Sequence, residues 1–189
     1  AELEPTFAQT TEIHLGHPEH PVVSLTGHDW IQEALPPWNQ QHIRQADGYA
    51  VASGKATQGK KAQPAPKNPP RSAHRGHWAV KVLTPGDYEI SLRRWPVEAD
   101  QPITASLPPG DDVPGGSKAY RAHAGIAIPA VRATLRIDNR DLETRPVQAG
   151  DRQVTFTTML KAGSYQLAPV FADADGNEVG AYYAVVTKK

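Results

Sequence analysis

Residues 77–95, HWAVKVLTPGDYEISLRRW, decide the predicted fold. On both sides of the turn TPGD, apolar residues alternate with polar ones, which is the period of a β-strand with one buried face. The inward-facing residues are then Trp78, Val80 and Val82 before the turn, and Tyr88, Ile90 and Leu92 after it. A Pro-Gly pair at the centre of the turn favours a tight reversal of the chain. We therefore predict two strands joined as a hairpin.

Other segments show the same short apolar runs between Gly, Pro and Asp turns. They are TEIHL, PVVSLT, QPITASL, VRATLRID, RQVTFTTML, SYQLAPVF and AYYAVVT. The chain also has 18 prolines and 15 glycines, which interrupt helices. Only DWIQEAL, residues 29–35, hints at a helical turn, and Pro36 and Pro37 end it. The pattern predicts an all-β fold of about nine strands with no long helix, arranged as an antiparallel β-sandwich of the jelly-roll kind.

The length of 189 residues favours one domain, spanning residues 1–189. Two segments lack the alternating pattern and are expected to be loops. Residues 52–75 are rich in Lys, Pro, Ala and Gly, which predicts a mobile basic surface loop. Residues 107–125 form a second loop rich in Gly and Pro. Both are expected to be insertions between strands.

The charge balance excludes several classes of partner. Lys plus Arg and Asp plus Glu both total 20, so no net charge holds a nucleic acid or an anionic membrane. No apolar run approaches the roughly 20 residues that span a bilayer. The absence of cysteine removes disulfides, thiolate metal sites and cysteine nucleophiles. We predict neither a nucleic-acid partner nor a membrane partner.

Two segments raise the question of a metal. HLGHPEH, residues 14–20, spaces three histidines three residues apart, but Gly16 and Pro18 exclude a helix there. A turn could still gather two imidazoles around zinc, with Glu19 or His28 nearby. Exposed loop histidines are commoner, so no metal site is predicted. DADGNE, residues 173–178, has acids like a calcium loop but lacks that loop's ligand spacing, and it is interpreted as a hairpin turn.

No pattern of intrinsic catalysis is present. A G-x-S-x-G elbow and a phosphate-binding glycine loop are both missing from the sequence. The acid pairs Glu98 with Asp100 and Asp111 with Asp112 could in principle serve as a glycosidase pair. Adjacency in sequence does not give the separation which that mechanism needs. The chain alone is therefore predicted to be non-catalytic.

Two polar aromatic clusters, residues 26–44 and 92–100, are candidates for binding or interdomain contact. Indole rings stack on sugars, amides bond to hydroxyls, and guanidinium groups match carboxylate or sulfate oxygens. The alternative is that the tryptophans plug the ends of the sandwich while an arginine pairs with Glu98 or Asp100. Strand alternation places Arg93 and Arg94 on opposite faces, which argues against a joint arginine clamp. The candidate residues are His28, Asp29, Trp30, Trp38, Asn39, Arg93, Arg94 and Trp95.

The ordered series HDW, PWNQ, LRRWP.EAD and GAYY resembles the C-terminal region of bacterial arylsulfatases, the type I sulfatases of the alkaline-phosphatase-like superfamily. The resemblance covers nearly the whole chain apart from the two loops. It implies a non-catalytic accessory β-sandwich that packs on a sulfatase catalytic domain in the same polypeptide and helps to shape the substrate cleft. It also implies a periplasmic or secreted location. The long insertion at residues 52–75 departs from the family pattern.

The parent sulfatase would be expected to use calcium and a formylglycine made within a Cys/Ser-x-Pro-x-Arg motif. That motif does not occur in this sequence, so no cofactor is expected in this chain. Two alternatives stay open beside the accessory domain. One is a free-standing carbohydrate-binding module that recognises sulfated or acidic glycans through the tryptophan faces. The other is a purely structural cap with no ligand.

Overall fold

The computed structural model describes residues 11–31, 40–46, 76–110 and 123–189, and it confirms the predicted all-β sandwich. These ranges contain eleven strands rather than about nine. The strands are β1 Ile13–Leu15, β2 Val22–Leu25, β3 Trp78–Val82, β4 Gly86–Arg93, β5 Arg132–Ile137, β6 Arg140–Pro146, β7 Val154–Leu160, β8 Gly163–Leu167, β9 Val170–Ala172, β10 Glu178–Gly180 and β11 Tyr183–Lys188.

Helical structure in the described part is short. One helix, α1, spans Gln40–Gln45, and two 3₁₀ turns cover Gly27–Asp29 and Val97–Ala99. The helical turn predicted for residues 29–35 lies largely outside the described residues, as do Trp38 and Asn39. No helix within the described ranges is long and apolar enough to cross a membrane.

The strands form two sheets. The first has the order β1-β3-β8-β5-β9-β10, with β6 also paired to β5, and the second has the order β2-β11-β4-β7. Every pairing between these strands is antiparallel except that of β1 with β3, which is parallel. Buried side chains from both sheets meet in one hydrophobic core.

The predicted inward faces of β3 and β4 are confirmed, but the predicted hairpin between them is wrong. All six alternating residues, Trp78, Val80, Val82, Tyr88, Ile90 and Leu92, are at most 2% exposed. However, β3 pairs with β1 and β8 in the first sheet, while β4 pairs with β11 and β7 in the second. The turn carries the chain from one sheet to the other. Alternation indicates which side of a strand is buried and does not indicate its partner.

Three other strand predictions need correction. QPITASL, residues 101–107, forms turns, and only Leu107 makes an isolated bridge, to Gly125. SYQLAPVF is two strands, β8 and β9, because Pro169 lacks the N–H that would continue the ladder. The sequence patterns also missed β6, whose residues are mostly exposed, and the short β10.

The predicted turn at DADGNE is confirmed, but β9 pairs across it with the short β10, whereas AYYAVVT forms β11 in the second sheet. Gly176 supplies the positive φ, +84°. The Asp173 carboxylate accepts hydrogen bonds from the backbone N and the side-chain Nδ2 of Asn177, both at 2.8 Å, and so holds the turn. The loop predicted at 52–75 lies outside the described residues, as does most of the loop predicted at 107–125.

Candidate functional site

The described candidate residues divide into an exposed pair and a buried group. His28 and Asp29 are exposed in the 3₁₀ turn after β2. Thr26 fixes that turn: its Oγ1 accepts from the His28 backbone N at 3.2 Å and donates to Asp29 Oδ2 at 2.9 Å. Trp30, Arg93, Arg94 and Trp95, in contrast, are all at most 6% exposed.

Four aromatic rings and one guanidinium contact one another in a continuous row, which we call the aromatic column. The Arg94 guanidinium carbon lies 4.2 Å from the Trp95 ring centroid and 5.2 Å from that of Tyr182. Tyr182 contacts Trp30 at a centroid distance of 5.0 Å, and Trp30 meets Trp78 edge-on at 5.6 Å. Three motifs that are far apart in sequence, HDW, LRRWP and GAYY, therefore meet in this column.

Backbone contacts hold the ends of the column. The Trp78 indole donates to the Thr26 carbonyl at 2.6 Å, and the Trp95 indole donates to the Ala105 carbonyl at 3.1 Å. Glycines let the backbone approach the rings closely. A Cβ built on Gly180 would lie 1.9 Å from Trp30 Cη2, and one on Gly125 would lie 2.3 Å from Trp95 Cη2.

Arg94 is held in the column by ring faces. None of the described residues accepts a hydrogen bond from its Nε, Nη1 or Nη2. Burial lowers the pKa of Arg94 to about 10, and Tyr182 and Tyr183 oppose this shift only in part. The side chain therefore keeps its charge at neutral pH inside an aromatic environment.

The plug alternative paired Arg93 or Arg94 with Glu98 or Asp100, and this part of it is wrong. Asp100 forms an ion pair with Arg152, with Nε and Oδ1 2.8 Å apart. Arg93 donates to the Trp95 carbonyl at 3.4 Å and to Gln153 Oε1 at 2.9 Å. The two neighbouring arginines thus have separate environments. The faces of Trp30, Trp78 and Trp95 contact protein rather than solvent, which favours the plug interpretation over sugar stacking for these three residues.

A separate polar depression lies on the first sheet, and we call it the β3–β8 groove. It encloses about 580 Å³. Its floor is formed where Ala79 of β3 pairs with Gln166 of β8, on the opposite side of these strands from the buried Trp78 and Leu167. The small Ala79 side chain leaves room above the sheet. The lining residues are Glu12, Ile31, His77, Ala79, Asp138, Asn139, Ser164, Tyr165 and Gln166.

Two backbone features fix the walls of the groove. Asp138 and Asn139 turn the chain between β5 and β6 with φ of 49° and 62°, as a two-residue hairpin with both central residues left-handed requires. The Asp138 Oδ1 accepts the Gln166 backbone N–H at 2.8 Å, which joins this turn to β8. On the other side, Ile31 and His77 exchange backbone hydrogen bonds of 2.9 and 3.1 Å.

The charges of the groove are acidic or neutral. Glu12 and Asp138 supply carboxylates, and within the described ranges no lysine or arginine lines the groove. Desolvation lowers the pKa of His77, so its imidazole is neutral at pH 7. The remaining polar groups are amides and hydroxyls.

The groove cannot be predicted from the sequence, because its residues come from five separate segments. Two local signals point to part of it. The outward positions of β3 and β8 are polar or small, and Asp-Asn is a favoured pair in a two-residue hairpin turn. The pairing of β3 with β8, which brings these signals together, was not readable from either strand.

No family model and no curated protein matches this chain. Among solved structures, it is similar to one described as a family 35 carbohydrate binding module from an environmental isolate. The two share 15% identity with a TM-score of 0.33, over 71% of this chain and 86% of that chain. At this TM-score the shared arrangement is too loose for the ligand of one protein to inform the other.

Proposed function

We propose that this chain is a non-catalytic β-sandwich module that binds a saccharide in the β3–β8 groove. The observation that carries the proposal is the groove's polar lining above a small alanine floor. Sugar hydroxyls both donate and accept hydrogen bonds. Amide, carboxylate and hydroxyl groups converging on one depression can satisfy them, and Asn139, Gln166, Ser164 and Glu12 provide such groups.

The lining charges favour an uncharged saccharide over the sulfated or acidic glycans expected from the sequence. A sulfate would meet the carboxylates of Glu12 and Asp138, and none of the described residues that line the groove is a lysine or arginine that could offset them. The neutral imidazole of His77 does not change this balance. The arginine of the aromatic column is fully buried and offers no guanidinium to such a ligand.

The test is a glycan array on the whole chain, followed by calorimetric titration of the best neutral oligosaccharide. Two variants remove groove side chains with little effect on the backbone. Asn139→Gly suits the residue's positive φ, and Gln166→Ala keeps the backbone N–H that binds Asp138. Each variant should weaken binding by about tenfold, the loss expected from one good hydrogen bond.

Thr157→Ala is the matched control, because Thr157 is an exposed strand residue on the second sheet. Its affinity should equal that of the unmodified chain. Three results would overturn the groove assignment: no saccharide binding by the folded chain, a preference for sulfated glycans, or affinities that Asn139→Gly and Gln166→Ala leave unchanged.

The second candidate is the accessory domain of a sulfatase. The observation that favours it is the aromatic column, because three of the motifs that carry the resemblance supply its central residues, Trp30, Arg94 and Tyr182. Because the three motifs pack against one another in one core, a domain with this core would be expected to contain all three. The contact surface for a catalytic domain then lies elsewhere, at exposed residues such as His28 and Asp29.

The intact mass of the native polypeptide, captured from its source cells with an antibody to this chain, tests the second candidate. A product several tens of kilodaltons larger than 20.5 kDa, with sulfatase activity, supports it. A product near 20.5 kDa would rule it out and leave the free-standing module. This result is independent of the groove variants.

A further inference from the structure

We propose that the turn between β1 and β2 binds a divalent transition-metal ion of the zinc type through His17, Glu19 and His20. One potential ligand atom from each residue lies within 4.8 Å of the other two. Ligands around a tetrahedral zinc stand about 2.0–2.2 Å from the metal and hence about 3.4 Å from one another. Small side-chain rotations would close the remaining distance.

The turn already holds its two imidazoles side by side. The His20 backbone N donates to the His17 carbonyl at 3.0 Å, which closes the turn around Pro18 and Glu19. The two rings are stacked, with centroids 5.5 Å apart and planes inclined by 29°. Glu19 and His20 are exposed and His17 is partly exposed, so an ion can reach them from solvent.

The base of the turn is fixed to the core. Gly16 has a φ of +74°, and a Cβ there would lie 1.9 Å from the Tyr88 hydroxyl. The Gly16 carbonyl accepts from Thr84 Oγ1 at 2.8 Å, and the Tyr88 hydroxyl donates to the Thr84 carbonyl at 2.5 Å. Since the stem cannot shift, ordering the three ligands costs less conformational entropy than it would in a free loop.

The donor set selects the class of ion. Two imidazoles and one carboxylate suit zinc and its neighbours better than calcium or magnesium, which prefer oxygen ligands alone. Three protein ligands leave a fourth position for water. One existing contact opposes binding: His17 Nδ1 accepts the Glu19 backbone N–H at 3.2 Å, so the ion must compete for the imidazole lone pair.

Binding would join the two sheets at this edge. β1 belongs to the first sheet and β2 to the second, and the turn is their direct connection. An ion that binds only the folded turn stabilises the native state by mass action. Zinc should therefore raise the melting temperature of the whole chain.

The experiment is a calorimetric titration of the whole chain with Zn²⁺, together with Co²⁺ absorption spectra that report ligand geometry. We expect about one equivalent bound, with tetrahedral Co²⁺ bands. His17→Ala and His20→Ala should each weaken binding by more than tenfold. Even the mutation of a residue that only hydrogen-bonds to a metal ligand lowers metal affinity by about 10–100-fold. Glu19→Gln should weaken it less, because the amide oxygen still coordinates.

His14→Ala and His28→Ala are the matched controls, because each removes an exposed histidine outside the turn. They should leave the affinity and the zinc-dependent rise in melting temperature unchanged. The proposal is overturned if the chain binds no Zn²⁺ at about 1 mM, or if the double variant His17→Ala/His20→Ala binds as tightly as the unmodified chain. The proposal does not depend on the saccharide site, so either can fail alone.

Discussion

Arg94 places a guanidinium in a core built otherwise from aromatic and aliphatic side chains. Burying an unpaired ion costs several kcal/mol, whereas a desolvated cation–π contact returns about 2 kcal/mol. The contacts with Trp95 and Tyr182 therefore offset much of the cost of burial but are not expected to exceed it. The side chain fills space in the column at some cost in stability.

Replacing Arg94 by methionine tests this balance. Arg94→Met keeps an unbranched side chain in contact with the rings and removes the buried charge, so the free energy of unfolding at pH 7 should stay the same or rise by about 1–2 kcal/mol. Arg94→Ala should lower it by about 2–4 kcal/mol, because it opens a cavity. Urea unfolding measures both. A loss of more than about 2 kcal/mol in Arg94→Met would mean that the guanidinium has a strong partner.

For individual residues, the sequence predicts which side chains are buried better than it predicts which side chains they contact. Alternation indicated that Trp78, Val80 and Tyr88 face inward, and all are buried. The sequence does not distinguish a plug from a binding surface for Trp30 and Trp95, because an indole ring suits both roles. For Trp30, the ring that decides between them is Tyr182, which lies more than 80 residues away in the chain. No local pattern contains that information.

Strand β10 can pack beside Trp30 only because Gly180 has no side chain. Gly180→Ala should lower the free energy of unfolding by about 1–3 kcal/mol through overpacking. In a Trp30→Phe background, where the ring is smaller, the same change should cost less. The control is Gly150→Ala, since a Cβ there meets no atom within 4 Å and only the φ of +90° opposes it. Gly150→Ala should lower the free energy of unfolding by the same amount in the unmodified chain and in Trp30→Phe. If Gly180→Ala also cost the same in both chains, the proposed clash with Trp30 would be contradicted.

Strands β5, β6 and β10 are joined by Arg136, which binds Asp141 at 2.5 Å and Glu178 at 3.1 Å. Arg136 holds the pKa of Asp141 below its ordinary value of 3.8. The stabilisation is therefore present above that value and is lost as the pH falls through the lowered pKa. Because Asp141 is half exposed, Arg136→Gln should cost only about 1 kcal/mol at pH 7.

The gap in stability between the unmodified chain and Arg136→Gln should shrink below pH 3.8, as acid denaturation series would show. Arg152→Gln is the control, because Arg152 and its partner Asp100 are 51% and 71% exposed. It should have a smaller effect at every pH. A gap for Arg136→Gln that does not vary with pH would contradict the ion-pair explanation.

The elements themselves were largely predictable, whereas their pairing was not. Alternation predicts a strand, but β3 and β4 look like a hairpin in sequence and belong to different sheets. QPITASL has the composition of a strand, yet Pro102 and the neighbouring loop leave it without a ladder partner beyond Leu107. The groove also depends on strand pairing, because it exists only where β8 lies beside β3.

The two sheets share one core, so the molecule should unfold as a unit. Tryptophan fluorescence and far-UV circular dichroism should give coincident urea transitions. Leu135 of the first sheet and Phe156 of the second are both at most 1% exposed. Leu135→Ala and Phe156→Ala should each lower stability by about 2–5 kcal/mol and move both probes together. Separate transitions would show that the sheets unfold independently.

The pairing partners of β1 and β2 also determine when these strands can fold during synthesis. Among the described strands, β2 pairs with β11 alone, so that Leu25 lies opposite Ala184, about 160 residues later in the chain. β1 likewise pairs with β3, which follows it by more than 60 residues. A ribosome releases β2 long before it releases its partner. During synthesis the apolar side of β2 therefore stays unpaired until β11 emerges, and the second sheet can be completed only after nearly all of these residues have left the exit tunnel.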